Sequence, residues 1–192
     1  MATAFLPFDK RLFSFPPVLC IANTIIMETT ILFGLSILMS LIAWNKISNK
    51  YLWSRVKEMD LKKAVQPMLL LNSFRFAGLS FFIPGIVHEG LNPAWAIPAA
   101  FGDFTAAILA LITLSLVNTK LFKPFLWIFN IWGLLDLIVA FVDGPRYGII
   151  PFLGPAYYIV ILYVPLLLLT HVMIFRLLGR NRATQLDHTL SN

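Results

Sequence analysis

The chain has 192 residues, 59% of them hydrophobic and only 12% charged, with a formal net charge of +6 and a mean hydropathy of +0.82. Charged residues make up about a quarter of soluble domains, so this composition excludes an ordinary soluble globular protein and suits one membrane domain. The basic residues gather in linkers between apolar runs, which is a topology signal and excludes a nucleic-acid-binding face.

A spanning helix takes about 20 apolar residues. Five such runs predict an all-α polytopic bundle of five transmembrane helices, a single domain over residues 1–192. Residues 1–17 hold Pro7, Pro16 and Pro17 around Lys10 and Arg11 and read as an uncleaved interfacial lead-in. The apolar run behind them is too long for a signal-peptide core, and Pro17, Val18 and Leu19 supply no small residue ahead of Cys20. As the only cysteine, Cys20 reads as a small apolar helix residue and encodes neither a disulfide nor a thiolate cluster.

The first span is predicted over 18–44. The polar stretch 45–66 follows, with Leu52, Val56 and Met59 at helical spacing, and reads as an amphipathic cytoplasmic linker. The second span covers 67–87, and Pro93 and Pro98 mark the short turn into a third at 94–118. A tight basic turn leads to the fourth span at 124–142. The glycine- and proline-rich stretch 143–155 forms an outside loop or re-entrant corner. The fifth span, 152–178, is kinked at Pro165, and the polar tail from Gly179 is predicted to be mobile.

Orientation follows from lysine and arginine positions. Eleven lie on one side, in 45–66, at Lys120 and Lys123, and at Arg176, Arg180 and Arg182; three lie on the other, at Lys10, Arg11 and Arg146. The expected topology is therefore amino terminus outside and carboxyl terminus cytoplasmic, in the cell (inner or plasma) membrane. No internal or inverted repeat supports a transporter of the repeat-built kind.

Glu28, Arg75, Asp103, Asp136 and His171 each interrupt a different apolar run. A charge at bilayer depth costs at least ~2.5–3.5 kcal/mol on insertion scales, so these residues are expected to pair or to face a protein interior. Asp103 shares a helical stripe with Ala99, Ala106, Ala110 and Thr113, and Asp136 shares one with Asn130, Gly133 and Ala140. Small residues on such a stripe let helices approach, and polar ones bond across the contact. Arg75 shares a face with Asn72, and Glu28 with Thr24. At ~1.5 Å per residue, Arg75 and Asp136 fall at mid-span, Glu28 and Asp103 in the outer half, and His171 in the inner half. The expected partner of Arg75 is Asp136, with Glu28 and Asp103 near enough to join. Three carboxylates around one arginine would leave one holding a proton, because like charges at low dielectric cannot all ionise. The candidate binding or functional residues are thus Arg75, Asp103, Asp136, Glu28, His171, Asn72 and Asn130.

No cofactor is expected. His88 at the outer rim and His171 in the inner half cannot clamp one haem within a chain, and a haem at a dimer interface or with one axial ligand is a minor reading. No HExxH or ExxH spacing encodes a metal site. Phosphate-loop, nucleophile-elbow, kinase and dinucleotide fingerprints are also absent.

The run SFRFAGLSFFIPGIVHEGLNPAWAIPAAFGDFTAAILAL pairs an R-x-x-G helix with a P-A-x-x-G-D opening of the next, and YVPLLLLTHVMIFRL closes the bundle with a late histidine. Over about residues 70–178 this resembles small uncharacterised bacterial multi-pass membrane proteins, through Arg75, Gly78, Pro98, Gly102, Asp103 and His171. The resemblance implies no activity.

Three readings follow for the polar interior: binding or translocation of a small solute or protons; acid-base catalysis on a lipidic or isoprenoid-like substrate; and a purely structural ion-pair cluster. Charges spread through the membrane depth favour transport, and charges gathered at one depth with an opening towards lipid favour the enzyme. The expected surroundings are a lipid bilayer and a small solute or lipidic substrate, with a homo-oligomer compatible and nucleic acid excluded.

Overall fold

The computed structural model describes the backbone of residues 18–190 and the side chains of residues 27–180. The lead-in at 1–17 and the side chains of Cys20 and Thr24 lie outside the described residues. Within them the chain is helical: α1 (Val18–Ile47), α2 (Leu61–Ser73), α3 (Pro93–Ser115), α4 (Phe122–Arg146) and α5 (Val164–Leu190), with short 3-10 and π segments between.

Four helical stretches are long and apolar enough to cross a membrane: Met27–Val56, Pro93–Ser115, Phe122–Arg146 and Gly154–Arg180. Large apolar side chains such as Leu35, Leu38, Phe101, Leu111, Leu135 and Val139 cover their outer faces. A surface of that kind is stable against lipid and not against water. The chain is a membrane-embedded, multi-pass helical bundle.

The second predicted span is built differently. Asp60 caps α2, its carboxylate accepting from the Lys62 N–H at 3.1 Å. The α-helix ends at Ser73, whose hydroxyl donates to the Leu70 carbonyl at 2.7 Å. A 3-10 helix of nine residues, Phe74–Phe82, then carries the chain on. Such runs rarely exceed three or four residues and often mark strain or function. Arg75 and Gly78 both lie in it.

Other boundaries also differ from expectation. The first helix does not end at 44 but continues through a π segment, Ser48–Trp53, and one turn, Ser54–Val56. The linker 45–66 is therefore divided between the first helix and α2. α5 extends to Leu190, because residues after Gly179 such as Arg180, Ala183, Gln185 and Leu186 are good helix formers. Pro93 opens α3 behind the Asn92 cap, whose side chain accepts from the Ala94 N–H at 3.0 Å. Ahead of Pro165, which has no N–H to give, the backbone widens into a π turn over Ile159–Tyr163. The Leu162 carbonyl takes a bond from the Trp44 indole at 2.9 Å, which ties α1 to this turn.

α3 packs on α4, on α2 and on the 3-10 segment; α5 packs on α2 and α4, and α1 mainly on α5 and the turns before it. The buried apolar residues divide into two bodies. One gathers Phe81, Trp95, Ala99, Ala100, Leu153 and Val160. The other gathers Val65, Met68, Leu69, Leu126, Phe129 and Ile174. At the second end, Arg176 stacks over Trp53 at 5.8 Å, and Arg180 donates to the Lys57 carbonyl at 2.6 Å. Between the two bodies lie the buried polar residues of the next section.

The second body is closely packed, and Leu126 within it has no exposed surface. Leu126→Ala should cost about 2–5 kcal/mol, measured by denaturant unfolding in micelles. A loss below about 1 kcal/mol would mean that this region collapses around the deletion.

Candidate functional site

Arg75 enters the bundle from the second residue of the 3-10 segment and is 1% exposed. A buried guanidinium is tolerated only if its N–H groups find acceptors. Asp103 Oδ1 lies 2.8 Å from both Nε and Nη2 of Arg75. Asp136 Oδ2 accepts from Nη2 at 2.6 Å. Nη1 donates to the Gly133 carbonyl at 3.0 Å and faces His171 Nε2 at 3.4 Å. Every guanidinium nitrogen thus has a partner, drawn from α3, α4 and α5.

The state of His171 follows from its neighbours. The Asn130 amide nitrogen donates to the His171 backbone carbonyl at 3.2 Å, which turns Oδ1 of Asn130 towards the ring at 2.8 Å from Nδ1. That oxygen can only accept, so Nδ1 carries the proton. The lone pair of Nε2 then faces Arg75, and a second ring proton would point at the guanidinium. His171 is held as a neutral imidazole, with Phe129 against the ring at a centroid distance of 5.2 Å.

Close approach depends on three glycines. A Cβ on Gly78 would lie 2.8 Å from the Asp103 Cβ and nearer still to its carboxylate. One on Gly102 would fall on the Asp136 carboxylate. One on Gly133 would lie 2.6 Å from His171 Cε1 and 2.9 Å from Arg75 Nη1. The 3-10 segment, α3 and α4 each give up a side chain where a neighbour's charged group must fit.

A second polar level adjoins the first. Asn72 donates to the Met68 carbonyl at 2.8 Å and to the Thr170 hydroxyl at 3.0 Å. The Thr170 hydroxyl donates in turn to the Leu167 carbonyl at 2.7 Å. Tyr163 donates to the Leu71 carbonyl at the point where α2 tightens.

Six of the seven residues singled out in the sequence therefore meet: Arg75, Asp103, Asp136, His171 and Asn130 in one network, with Asn72 beside it. Asp103 pairs with Arg75 as closely as Asp136 does. Glu28 does not join; it is exposed on α1, a helix that packs chiefly on α5. His171 reaches Arg75, its Nε2 3.4 Å from Nη1, although its place in the apolar run points to the inner half. Thr170 and Tyr163 escaped sequence reasoning. Thr170 carried a usable signal, a hydroxyl beside His171 in a leucine run, while Tyr163 reads only as an interfacial aromatic. His88 sits in a loop, where its ring accepts from the Gly90 N–H at 3.0 Å.

The carboxylates have a second side. Their side chains are 17% and 15% exposed, against 0% for Arg75. Both line a cavity of about 40 Å³ whose walls include Phe33, Phe81, Trp95 and Phe141, room for at least one water molecule. Asp136 also borders a groove of about 250 Å³ that runs between α3 and α4 to Asp143 and Tyr147. The cluster is thus approached from the carboxyl-terminal end of α4. Its other side is closed by the second apolar body.

A model for a domain of unknown function, DUF8737, matches residues 32–179. Comparison with curated proteins and with solved structures matched none.

Two variants test the geometry. Gly133→Ala should destabilise the protein by about 1–3 kcal/mol through overpacking. Gly34→Ala, with nothing within 4 Å of the added carbon, should be neutral or gain up to about 1 kcal/mol from helix propensity. Equal effects in thermal unfolding would contradict the close approach at Gly133. In a second comparison, Arg75→Ala or Asp136→Ala alone should cost roughly 3–5 kcal/mol, with the double change much milder than their sum. Additive losses would mean that the two do not interact.

Proposed function

The chain belongs to the DUF8737 family, and we propose that it binds a small solute, or passes protons, at the carboxylate edge of the Arg75 cluster. One observation carries this reading. Asp103 and Asp136 each give one edge to Arg75 while also lining a cavity, and Asp136 further meets a groove leading out of the bundle. A cluster serving only to hold helices together has no need to keep its carboxylates exposed. Membrane carboxylates that face a cavity are the usual elements of ion and proton pathways.

A second reading is acid-base catalysis on a lipidic substrate. It is favoured by the gathering of Arg75, Asp103, Asp136 and His171 at one place, and not along the depth of the membrane. An arginine-held carboxylate pair beside an aromatic cavity offers a proton donor and acceptor to an apolar substrate. Either reading works without a resident cofactor.

The proposed topology keeps five spans. α2 and its 3-10 extension together rise roughly 35–40 Å, enough for a hydrocarbon core of about 30 Å. The eleven-to-three basic bias puts the amino terminus outside and the carboxyl terminus in the cytoplasm of the cell membrane.

Topology is read by labelling Arg55→Cys and Gln185→Cys in a Cys20→Ser background. Both should be protected from impermeant reagent in sealed cells, and outside labelling of either reverses the orientation. For function, purified protein in proteoliposomes should show proton or solute flux that falls at least tenfold in Asp136→Asn and Asp103→Asn. Unchanged flux argues against transport. A lipid product that depends on the gene and disappears in the same variants would select the catalytic reading.

A further inference from the structure

Within the Arg75 cluster the charges do not balance. Arg75 supplies one positive charge, His171 is neutral, and Asp103 and Asp136 supply up to two negative ones. In an apolar interior that excess needs compensation. Among the described residues the two carboxylates are the only ionisable groups on the cavity wall, so whatever compensates them arrives through the cavity or the groove.

The walls narrow the choice. An anion is excluded, because the Arg75 side chain has no exposed surface and an incoming group meets carboxylates first. A neutral solute requires the pair to keep a proton, whereas a cation can take that proton's place. Phe33, Phe81, Trp95 and Phe141 are among the residues lining the cavity, and aromatic rings attract cations that have lost their water. At about 40 Å³ the cavity accepts a head group, and the 250 Å³ groove that begins at Asp136 accepts an apolar body.

Resting on the binding function proposed above, we infer that the ligand is an organic ammonium ion with an apolar body, and that it enters in exchange for one proton held by the Asp103–Asp136 pair. The exchange balances. The carboxylic acid and the free ammonium become the carboxylate–ammonium ion pair and a proton released to water, with no covalent bond formed except that of the departing proton to water. Asp136 faces Arg75 from the 3-10 segment, which also holds Asp103 from α3 and meets neutral His171 from α5, and Asp143 and Tyr147 lie along the groove. Tyr163 gives its hydroxyl to Leu71, and among the described residues α1 contributes only Phe33 to the cavity. Asp143 is already engaged with Arg146 at 3.0 Å, which leaves Asp136 and Asp103 as the exchanging pair.

The test uses the full chain in nanodiscs and benzyltrimethylammonium, a permanent cation, against its uncharged isostere neopentylbenzene. Calorimetry in buffers of different ionisation enthalpy should give about one proton released per cation bound. Affinity should weaken about tenfold per pH unit where the pair is protonated. Asp136→Asn and Asp103→Asn should abolish the proton release, while Glu28→Gln should leave it unchanged; thermal unfolding confirms that each variant is folded. Adding phosphatidylethanolamine to phosphatidylglycerol nanodiscs identifies the source: competition with the probe assigns the site to a lipid amine, and its absence to a free amine. Cation binding without proton release, or with equal strength in Asp136→Asn, overturns the inference. Binding of neopentylbenzene alone overturns it while leaving a solute-binding function in place. Binding of neither, together with absent flux, rejects both.

Discussion

A guanidinium taken into an apolar bundle must find acceptors on every side, and one helix cannot supply them. Arg75 obtains them from Asp103 on α3, Asp136 and the Gly133 carbonyl on α4, and His171 on α5. Each of those helices is held at the distance a hydrogen bond allows. Losing one partner leaves a buried charge uncompensated, so the contacts are coupled. The apolar faces provide most of the contact area, but hydrocarbon packing between helices in lipid is only weakly directional. The polar layer supplies the register that such packing lacks.

That layer also explains the arrangement of small residues. Gly78, Gly102 and Gly133 stand where a methyl group would collide with Asp103, Asp136 or His171. Ala99, Ala106 and Ala110 continue the buried stripe of α3. The long 3-10 segment belongs to the same solution, since it carries both Arg75 and Gly78. The two apolar bodies then take different roles. The one containing Leu126 and Phe129 seals the cluster, while the one containing Trp95 and Phe81 encloses the cavity that reaches it. The ion cluster is thus closed on one side and open to the cavity on the other.

The sequence by itself determined the class of the fold and most of the residues that meet in the buried polar cluster. Apolar runs of spanning length can form only helices in lipid. The stripes through Asp103 and Asp136 pointed inward because alanines and glycines surrounded them at three- and four-residue steps. Tertiary structure alone decided which charges meet. A rise of ~1.5 Å per residue holds for straight α-helices, whereas the chain tightens to a 3-10 helix after Ser73 and widens to a π turn before Pro165, and each changes rise and rotation. Glu28 was left out because α1 packs mainly on α5, a neighbour relation that periodicity along one helix does not encode. The tautomer of His171 was equally beyond sequence, since it depends on an Asn130 amide whose orientation is fixed by a carbonyl on another helix.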